Sequence, residues 1–421
     1  MVEDDAETVS APIRAARAPR RRRTVEGTRL SAEPHVLSVI TRLGRGGSER
    51  RLHDVLAAVP GAHTVVVGGD SDPDETAALA RRYEVLRCDA LVRDVRPAAD
   101  ARAFAHLLRL MRRRDFDVVH THQSKAGLLG RVAARAAGIG VVYHSSSMAS
   151  FGPGYGRAES AAFAVAERCT APLVTRFFVV GQDLAARMQA NGVDPGRIEV
   201  VRSSLDLEPF APIDAAGREA ARRHLGIDPE VAVVVFVGSL DERKNVMMLP
   251  DAVGSAAAGR PVTLLVAGAG PLAGPLAARA EGLAAGADDV TIRLLGHVSD
   301  VALVMRAADV LALPSSAEGL PQVLVQAARC GLPFVSFDVD GVAELLDLGA
   351  RGRSVPLGDR EAFSSALAAE LAAGGGLGQD LRPSPSLDGW HAWDVDAVAE
   401  RYRHFYRLDL GPGDPEPGDQ R

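Results

Sequence analysis

Residues 309–335 read DVLALPSSAEGLPQVLVQAARCGLPFV, and the parsing of the whole chain turns on this stretch. "DVLALPSS" is a short apolar run closed by Pro and Ser, compatible with a strand buried on both faces. A helix follows: Pro321 suits its first position, Gly331 its left-handed stop, and Pro333 blocks continuation. Glu318 therefore stands in a polar turn between a strand end and a helix N-terminus. In open parallel sheets ligands bind at such turns, because the strand ends form a crevice and the helix offers unpaired N–H donors. The plainer reading is that Glu318 only complements the helix dipole.

The same alternation extends outward in both directions. From His35 the chain reads "HVLSVI", then the Gly-rich "TRLGRGGSER", then the helical "RLHDVLAAV". The apolar runs "HTVVVGG", "DVVHTHQ", "GVVYHSS", "RFFVVGQ" and "IEVVRSS" follow, most of them separated by Ala/Leu/Arg-rich helical stretches. A second series, "VAVVVFVGSL", "VTLLVAGAG", "VTIRLLGH", "DVLALPSS", "PFVSFDV" and "GRSVPL", starts after the charged stretch "IDAAGREAARRHLGIDPE". Strands alternating with helices predict parallel sheets. The expectation is an α/β chain of two Rossmann-like domains facing a central cleft, joined near 206–228. The first domain spans 34–205 and the second 206–390. A final helix at 391–410 is expected to pack back on the first domain. Residues 1–33, basic and without periodicity, and 411–421 read as disordered tails.

Composition narrows the function classes. The chain has 421 residues, a net charge of −6 and a mean hydropathy of +0.03, which suits a soluble protein and argues against nucleic acid as partner. No apolar run approaches the roughly 18–20 residues of a membrane span. The opening "MVEDDAETVS" is acidic and unlike a secretory signal. Cys88, Cys169 and Cys330 lie far apart with no metal or disulfide spacing, so a reducing cytoplasm is expected. The Arg-rich tail reads as solvated, with contact to an anionic membrane surface as the alternative.

Of 48 basic residues only Lys125 and Lys244 are lysines, a bias expected of a GC-rich genome. A lysine kept against it marks a place that calls for a compact point charge, with chance survival as the rival explanation.

Four motifs in order carry a resemblance: "GRGGSERRL", "VVHTHQSKAGLLGRVAARAAG", "GSLDERKN" and "EGLPQVLVQAARCGLPFV". Through roughly residues 35–407 the chain resembles the retaining glycosyltransferases of the two-Rossmann GT-B fold, in the large family 4 group. The resemblance implies an enzyme that moves a sugar from a nucleotide diphosphate donor, with a UDP-sugar the expected one, to a small-molecule or glycan acceptor, without cofactor or metal. The donor is expected in the second domain and the acceptor mainly in the first. A nucleotide-sugar-binding protein without transfer, or an epimerase or phosphorylase on the same fold, are the alternatives.

The resemblance assigns roles to individual residues. Gly46 and Gly47 lie in the first strand-to-helix loop, where missing Cβ atoms let backbone N–H groups approach an oxyanion. Ser48 is expected to cap that helix. Lys244 is expected to stabilise the leaving diphosphate. Arg243 is a second candidate cation, although neighbouring residues usually point apart. Glu318 corresponds to the glutamate that contacts donor-sugar hydroxyls, with the amides of Gly319 and Leu320 facing the phosphates. Gln326 stands where the family has a ribose-binding glutamate. Two further departures are Ser239, where an arginine is usual, and Ser146, where a histidine is usual; His144 is the candidate for that histidine's place. His122 and Lys125 are expected to line the acceptor side of the cleft.

Two rival motifs carry less. "GAGPLAG", with Gly268, Gly270 and Gly274, lacks the acidic residue of a dinucleotide fingerprint. "DSDPDE" at 70–75 lacks the glycine of a calcium loop and reads as a solvated loop.

Overall fold

The computed structural model describes residues 33–44, 46–152, 155–212, 214–284, 290–373 and 387–411. Apart from Glu33 and Gly411, the expected tails lie outside the described residues. A first sheet holds β1 (His35–Ile40), β2 (Ala62–Gly68), β3 (Glu84–Cys88), β4 (Val118–His122), β5 (Val141–Ser146), β6 (Arg176–Val179) and β7 (Ile198–Val200). A second holds β8 (Ala232–Val237), β9 (Val262–Ala267), β10 (Val290–Gly296), β11 (Val310–Leu313), β12 (Phe334–Phe337) and β13 (Gly352–Val355). All pairings are parallel, in the orders β3-β2-β1-β4-β5-β6-β7 and β10-β9-β8-β11-β12-β13. Both orders reverse direction beside their first strand, between β1 and β4 and between β8 and β11.

Helices cover the faces of both sheets. In the first half they are α1 (Gly47–Ala58), α2 (Pro73–Ala80), α3 (Pro97–Arg113), α4 (Ser124–Ala136), α5 (Arg157–Thr170) and α6 (Gln182–Ala190). In the second they are α7 (Ala215–His224), α8 (Leu249–Ala257), α9 (Ala273–Ala284), α10 (Val301–Ala307), α11 (Gln322–Cys330), α12 (Val342–Asp347) and α13 (Arg360–Ala372). Strands sandwiched this way become continuous apolar runs, and Val233–Phe236 and Val310–Leu313 are fully buried. The last helix, α14 (Val395–Leu410), returns to the first half. Its Val398, Tyr402, Phe405 and Tyr406 share a core with Val36, Val55, Tyr143 and Phe178. Asp409 on its last turn accepts from Arg176 Nε at 2.6 Å and from the Tyr143 hydroxyl at 2.9 Å.

Three details differ from the sequence reading. β3 escaped it because "EVLRC" interrupts its apolar residues with Glu84 and Arg87, both exposed, as an edge strand partly open to water permits. The stretch at 70–75 is no simple loop: the Asp72 side chain caps α2, accepting from the amides of Asp74 and Glu75, with Pro73 at the first position. The charged stretch taken for a joint contains α7, a packed part of the second half. Arg218 and Arg222 on its inner face reach Asp309, at the start of β11. Arg222 Nη2 lies 2.8 Å from Asp309 Oδ2, Arg218 bonds Oδ1, and the Val233 amide donates to Oδ2 at 2.6 Å.

That buried cluster yields a test. Asp309→Asn strands two buried guanidinium groups beside an uncharged amide, and removing one partner of such a cluster costs about 3–5 kcal/mol. Urea unfolding of the variant should show a correspondingly earlier transition. An unchanged midpoint would mean that the cluster does not hold α7 to the sheet.

Candidate active site

The reversal between β8 and β11 opens a crevice at the carboxyl ends of these strands. The loop after β8 is held by backbone contact. A Cβ on Gly268 would lie 1.8 Å from the Gly238 carbonyl oxygen, and one on Gly270 would lie 2.5 Å from that of Leu240. Gly268 and Gly270 of "GAGPLAG" thus let the β9 loop lie directly against the β8 loop. The Leu240 amide completes the seam, donating to the Ala269 carbonyl at 3.0 Å.

Beyond this brace the chain makes a single 3₁₀ turn, Glu242–Lys244, ended by Asn245 at φ +50°. Asp241 organises the turn. Its Oδ1 accepts the Lys244 amide at 3.1 Å and its Oδ2 the Ser239 hydroxyl at 2.7 Å. Adjacent residues were expected to point apart, but the tight turn brings both cations to one carboxylate. Lys244 Nζ lies 2.5 Å from Glu318 Oε1 and Arg243 Nη1 lies 3.2 Å from Oε2. Arg243 also donates to the Ala317 carbonyl at 3.0 Å, and its own carbonyl accepts the Ser316 amide at 2.8 Å. Glu318 is only 10% exposed and would be costly to bury without these partners.

Pro321 sits one residue before its expected place, at the N-cap of α11, and offers no side-chain cap. The helix therefore presents uncapped N–H groups toward the Glu318 turn. Its outer stripe carries Gln322 and, one turn on, the half-buried Gln326, while Val323, Leu324 and Val325 face the core.

The first half meets this turn directly. A Cβ on Gly319 would fall 1.8 Å from the Ser147 carbonyl oxygen, just past β5, and one on Gly47 would stand 3.6 Å from Gln322 Nε2. Gly46 is extended, with φ −170°, and caps α1 without a side chain. Ser48, expected as the cap, instead lies inside the helix and donates to Glu49 at 3.0 Å. Gln123 clamps the Gly-rich loop: its amide group bonds the Arg42 N–H and carbonyl, both at 3.0 Å, and the Ser48 hydroxyl at 3.1 Å. These bonds hold Gln123 at φ +66°, where a non-glycine residue is strained.

Three expected site residues are placed elsewhere. His144 shares the parity of Ser146, as read, but that face of β5 is covered by α4. The imidazole is 3% exposed, its Nδ1 is 2.9 Å from Thr121 Oγ1, and Gly127 lacks a Cβ where the ring lies. His122 is 1% exposed and stacks on His120 at 4.6 Å. Lys125 is spent within the first half, 2.8 Å from Asp100 and bonded to the Asp94 carbonyl. Ser146 ends β5 and donates to the Met148 carbonyl at 3.0 Å, beside the Gly319 contact.

The family described as "Glycosyl transferase 4-like domain" matches residues 46–203, and "Glycosyl transferases group 1" matches residues 231–372. The chain belongs to the group 1 glycosyltransferases. This glycosyltransferase is 28% identical over 295 residues to the UDP-Gal:alpha-D-GlcNAc-diphosphoundecaprenol alpha-1,3-galactosyltransferase of Escherichia coli, covering 66% of this chain and 72% of that one. It is 30% identical over 310 residues to the D-inositol 3-phosphate glycosyltransferase of Mycobacterium marinum, covering 68% of this chain but only 63% of the relative. Its GT-B fold is shared with sucrose-phosphate synthase of Thermosynechococcus elongatus, with TM-score 0.70, 20% identity, 90% of this chain and 99% of that one. Anabaena HepE in complex with UDP-glucose superposes with TM-score 0.68 at 17% identity, over 89% of this chain and all of HepE.

Gln123, Asp241 and Gln322 lie within the quoted motifs and shape the candidate site, but the sequence reading gave them no role. An Asp three residues before the lysine was a readable turn signal. The clamp by Gln123 spans 81 residues and left none.

Burial holds His122 at about 3 and keeps His120 and His144 well below the ordinary histidine value of 6.5. The unfolded chain therefore takes up protons that the folded one excludes. Stability should fall as pH drops below about 6.5 toward 3, by about 1.4 kcal/mol per pH unit for His122 alone. Denaturation midpoints of wild type and His122→Phe between pH 7 and 5 check this. The variant should show the shallower loss, and equal slopes would refute it.

Proposed function

We propose that the glycosyltransferase moves a sugar from a UDP-sugar, bound at the β8/β11 crevice, to an acceptor held by the first half, with retention at the anomeric carbon. The observation that carries this reading is the Glu318 carboxylate held by Lys244 and Arg243 beside the uncapped start of α11. Two cations and a helix N-terminus suit a diphosphate, whose charge grows as its bond to the sugar breaks. Lys244 and Arg243 take that charge, and the amides of Gly319 and Leu320 face the phosphates. Glu318 accepts hydrogen bonds from sugar hydroxyls, and Gln326 accepts from the ribose through its carbonyl. Gly46 and Gly47 leave room on the opposite wall. A Cβ on Gly47 would make only an ordinary contact, and Gly46 is extended, so that a Cβ there would displace only the carboxylate end of Glu49, 2.8 Å away.

Glu318, whose oxygens accept from the donor-sugar hydroxyls in this reading, is not free to activate an acceptor from the far side of the sugar. Attack from the side of the departing diphosphate needs no such base. The acceptor oxygen bonds to the anomeric carbon, the bond to phosphate breaks, and the acceptor proton passes to the leaving phosphate oxygen. UDP as carrier is supported by the UDP-Gal donor in the name of the Escherichia coli relative. The first half as acceptor side follows from the donor's place in the second. Three free cysteines, two of them buried, fit the proposed reducing, cytoplasmic setting.

Titration with UDP-, GDP- and dTDP-sugars, followed by assay of nucleotide release, tests the donor. Turnover should persist in EDTA, because side chains and helix N–H groups meet the phosphate charge. Lys244→Ala should lower turnover about 10²–10³-fold, the effect of losing one such donor. Loss of activity in chelator with recovery on adding manganese, or near-normal turnover of Lys244→Ala, would overturn the assignment.

Glu318→Gln separates sugar from nucleotide. Its loss of charge-strengthened hydrogen bonds, about 1.5–3 kcal/mol, should slow transfer. Free UDP should bind no more weakly, because the two cations lose an internal competitor. Calorimetry that finds UDP weakened in step with transfer would rule out the sugar-contact role.

A further inference from the structure

A polar seam joins the two halves beside the donor crevice, and the mechanism above does not use it. Arg187 of α6 donates through Nε to Asp340 Oδ2 at 3.1 Å and through Nη2 to Oδ1. Arg202, following β7, bonds Glu344 of α12 and donates to the Val180 carbonyl at 2.6 Å. The other Glu344 oxygen accepts the Gln182 amide at 3.1 Å, and Asp183 accepts the Gly341 amide at 2.8 Å. The side chains of both ion pairs are largely buried, with Arg187 the most exposed at 26%.

The seam leans on the site from both sides. On the second half, Gly341, at φ +86°, lies so close that a Cβ would stand 2.6 Å from Leu320 Cδ1 and 2.8 Å from its Cα. On the first half, a Cβ on Gly152 would lie 2.7 Å from Arg187 Nη1. Gly152 belongs to the same loop as Ser147, whose carbonyl meets Gly319. One guanidinium thus braces the loop that touches Gly319 and holds the turn that touches Leu320.

We propose that Arg187, Arg202, Asp340 and Glu344 are positioning residues. They set the separation of the halves and, through the Gly319–Leu320 turn, the place of Glu318 relative to an acceptor on the first half. The proposal rests on the reading of the Glu318 turn as donor site. Packed side chains are discrete in their arrangements, so losing the seam moves the turn by a step rather than loosening it slightly.

The test combines turnover, nucleotide binding and shape in the full chain. Asp340→Asn and Arg187→Gln should each lower kcat about ten- to hundredfold, the scale of an ångström misplacement. The Kd for free UDP, which contacts the second half, should stay within about twofold. The reversed pair, Arg187→Asp with Asp340→Arg, should recover most of the lost kcat. Small-angle X-ray scattering of ligand-free Asp340→Asn should give a larger maximum dimension than wild type. Should Asp340→Asn show no cooperative thermal transition, Glu344→Gln takes its place, since it keeps an acceptor for the Gln182 amide.

Wild-type kcat in both single variants overturns the proposal, as does a reversed pair no better than the singles. If wild type neither binds UDP nor releases it from a UDP-sugar, the donor reading fails instead. The scattering result then decides the seam alone, an unchanged dimension overturning it.

Discussion

The Glu318 carboxylate, set between Lys244 and Arg243, is the contact on which the arrangement of the crevice depends. A carboxylate 10% exposed is stable there only if its charge is met, and both partners come from one three-residue turn. That turn depends in turn on Asp241, which ties the Lys244 amide, and on Asn245, which accepts a left-handed backbone. Beneath it, Gly268 and Gly270 allow the β8 and β9 loops to touch backbone to backbone. A side chain at either position would collide with the backbone of the loop that leads to the cations. The glycines that resemble a nucleotide fingerprint therefore act one layer down, by fixing where the charges stand.

The same logic of close approach governs how the halves meet. Gly319 has no room for a Cβ against Ser147, so the Glu318 turn is seated on the first half as well as on its own sheet. α14 ties the two halves into the same arrangement, since it leaves the second half and packs under β1, β4 and β5. Just before it, Trp393 lies in the core of the second half while its carbonyl accepts the Leu205 amide at 2.8 Å, and Arg202 stacks over its ring at 5.0 Å. Arg202 thus touches the crossing segment and the ion-pair seam at once.

Much of this was legible in the sequence. Strands buried on both faces must be continuous apolar runs, so twelve of the thirteen among the described residues could be read; β3 failed because an edge strand relaxes that demand. Glu318, Lys244 and Arg243 could be placed because a residue just past a strand end in a parallel sheet lies at the crevice whatever the remaining packing. His144, His122 and Lys125 could not. Period-two alternation states which residues share a face of a strand, but not whether a helix or the cleft covers that face. α7 was read as a joint because its inner arginines look solvated until Asp309, 91 and 87 residues away, is known to receive them. The seam was equally hidden, its pairs being separated by 153 and 142 residues.

On the proposed reading, the pairing of Glu318 with its cations also bears on how a donor binds. Without ligand, Lys244 and Arg243 already have a counter-charge, so a diphosphate enters by exchange and gains only the difference between two anionic partners. That limits affinity for the nucleotide alone. It also means that the phosphates free the Glu318 oxygens as they arrive, next to the sugar hydroxyls carried on the same ligand. A bare nucleoside diphosphate releases the carboxylate without giving it a new donor, whereas the sugar nucleotide supplies one. The crevice would thereby discriminate in favour of the loaded donor over its spent product, using one carboxylate and two cations that the fold already holds within hydrogen-bonding reach.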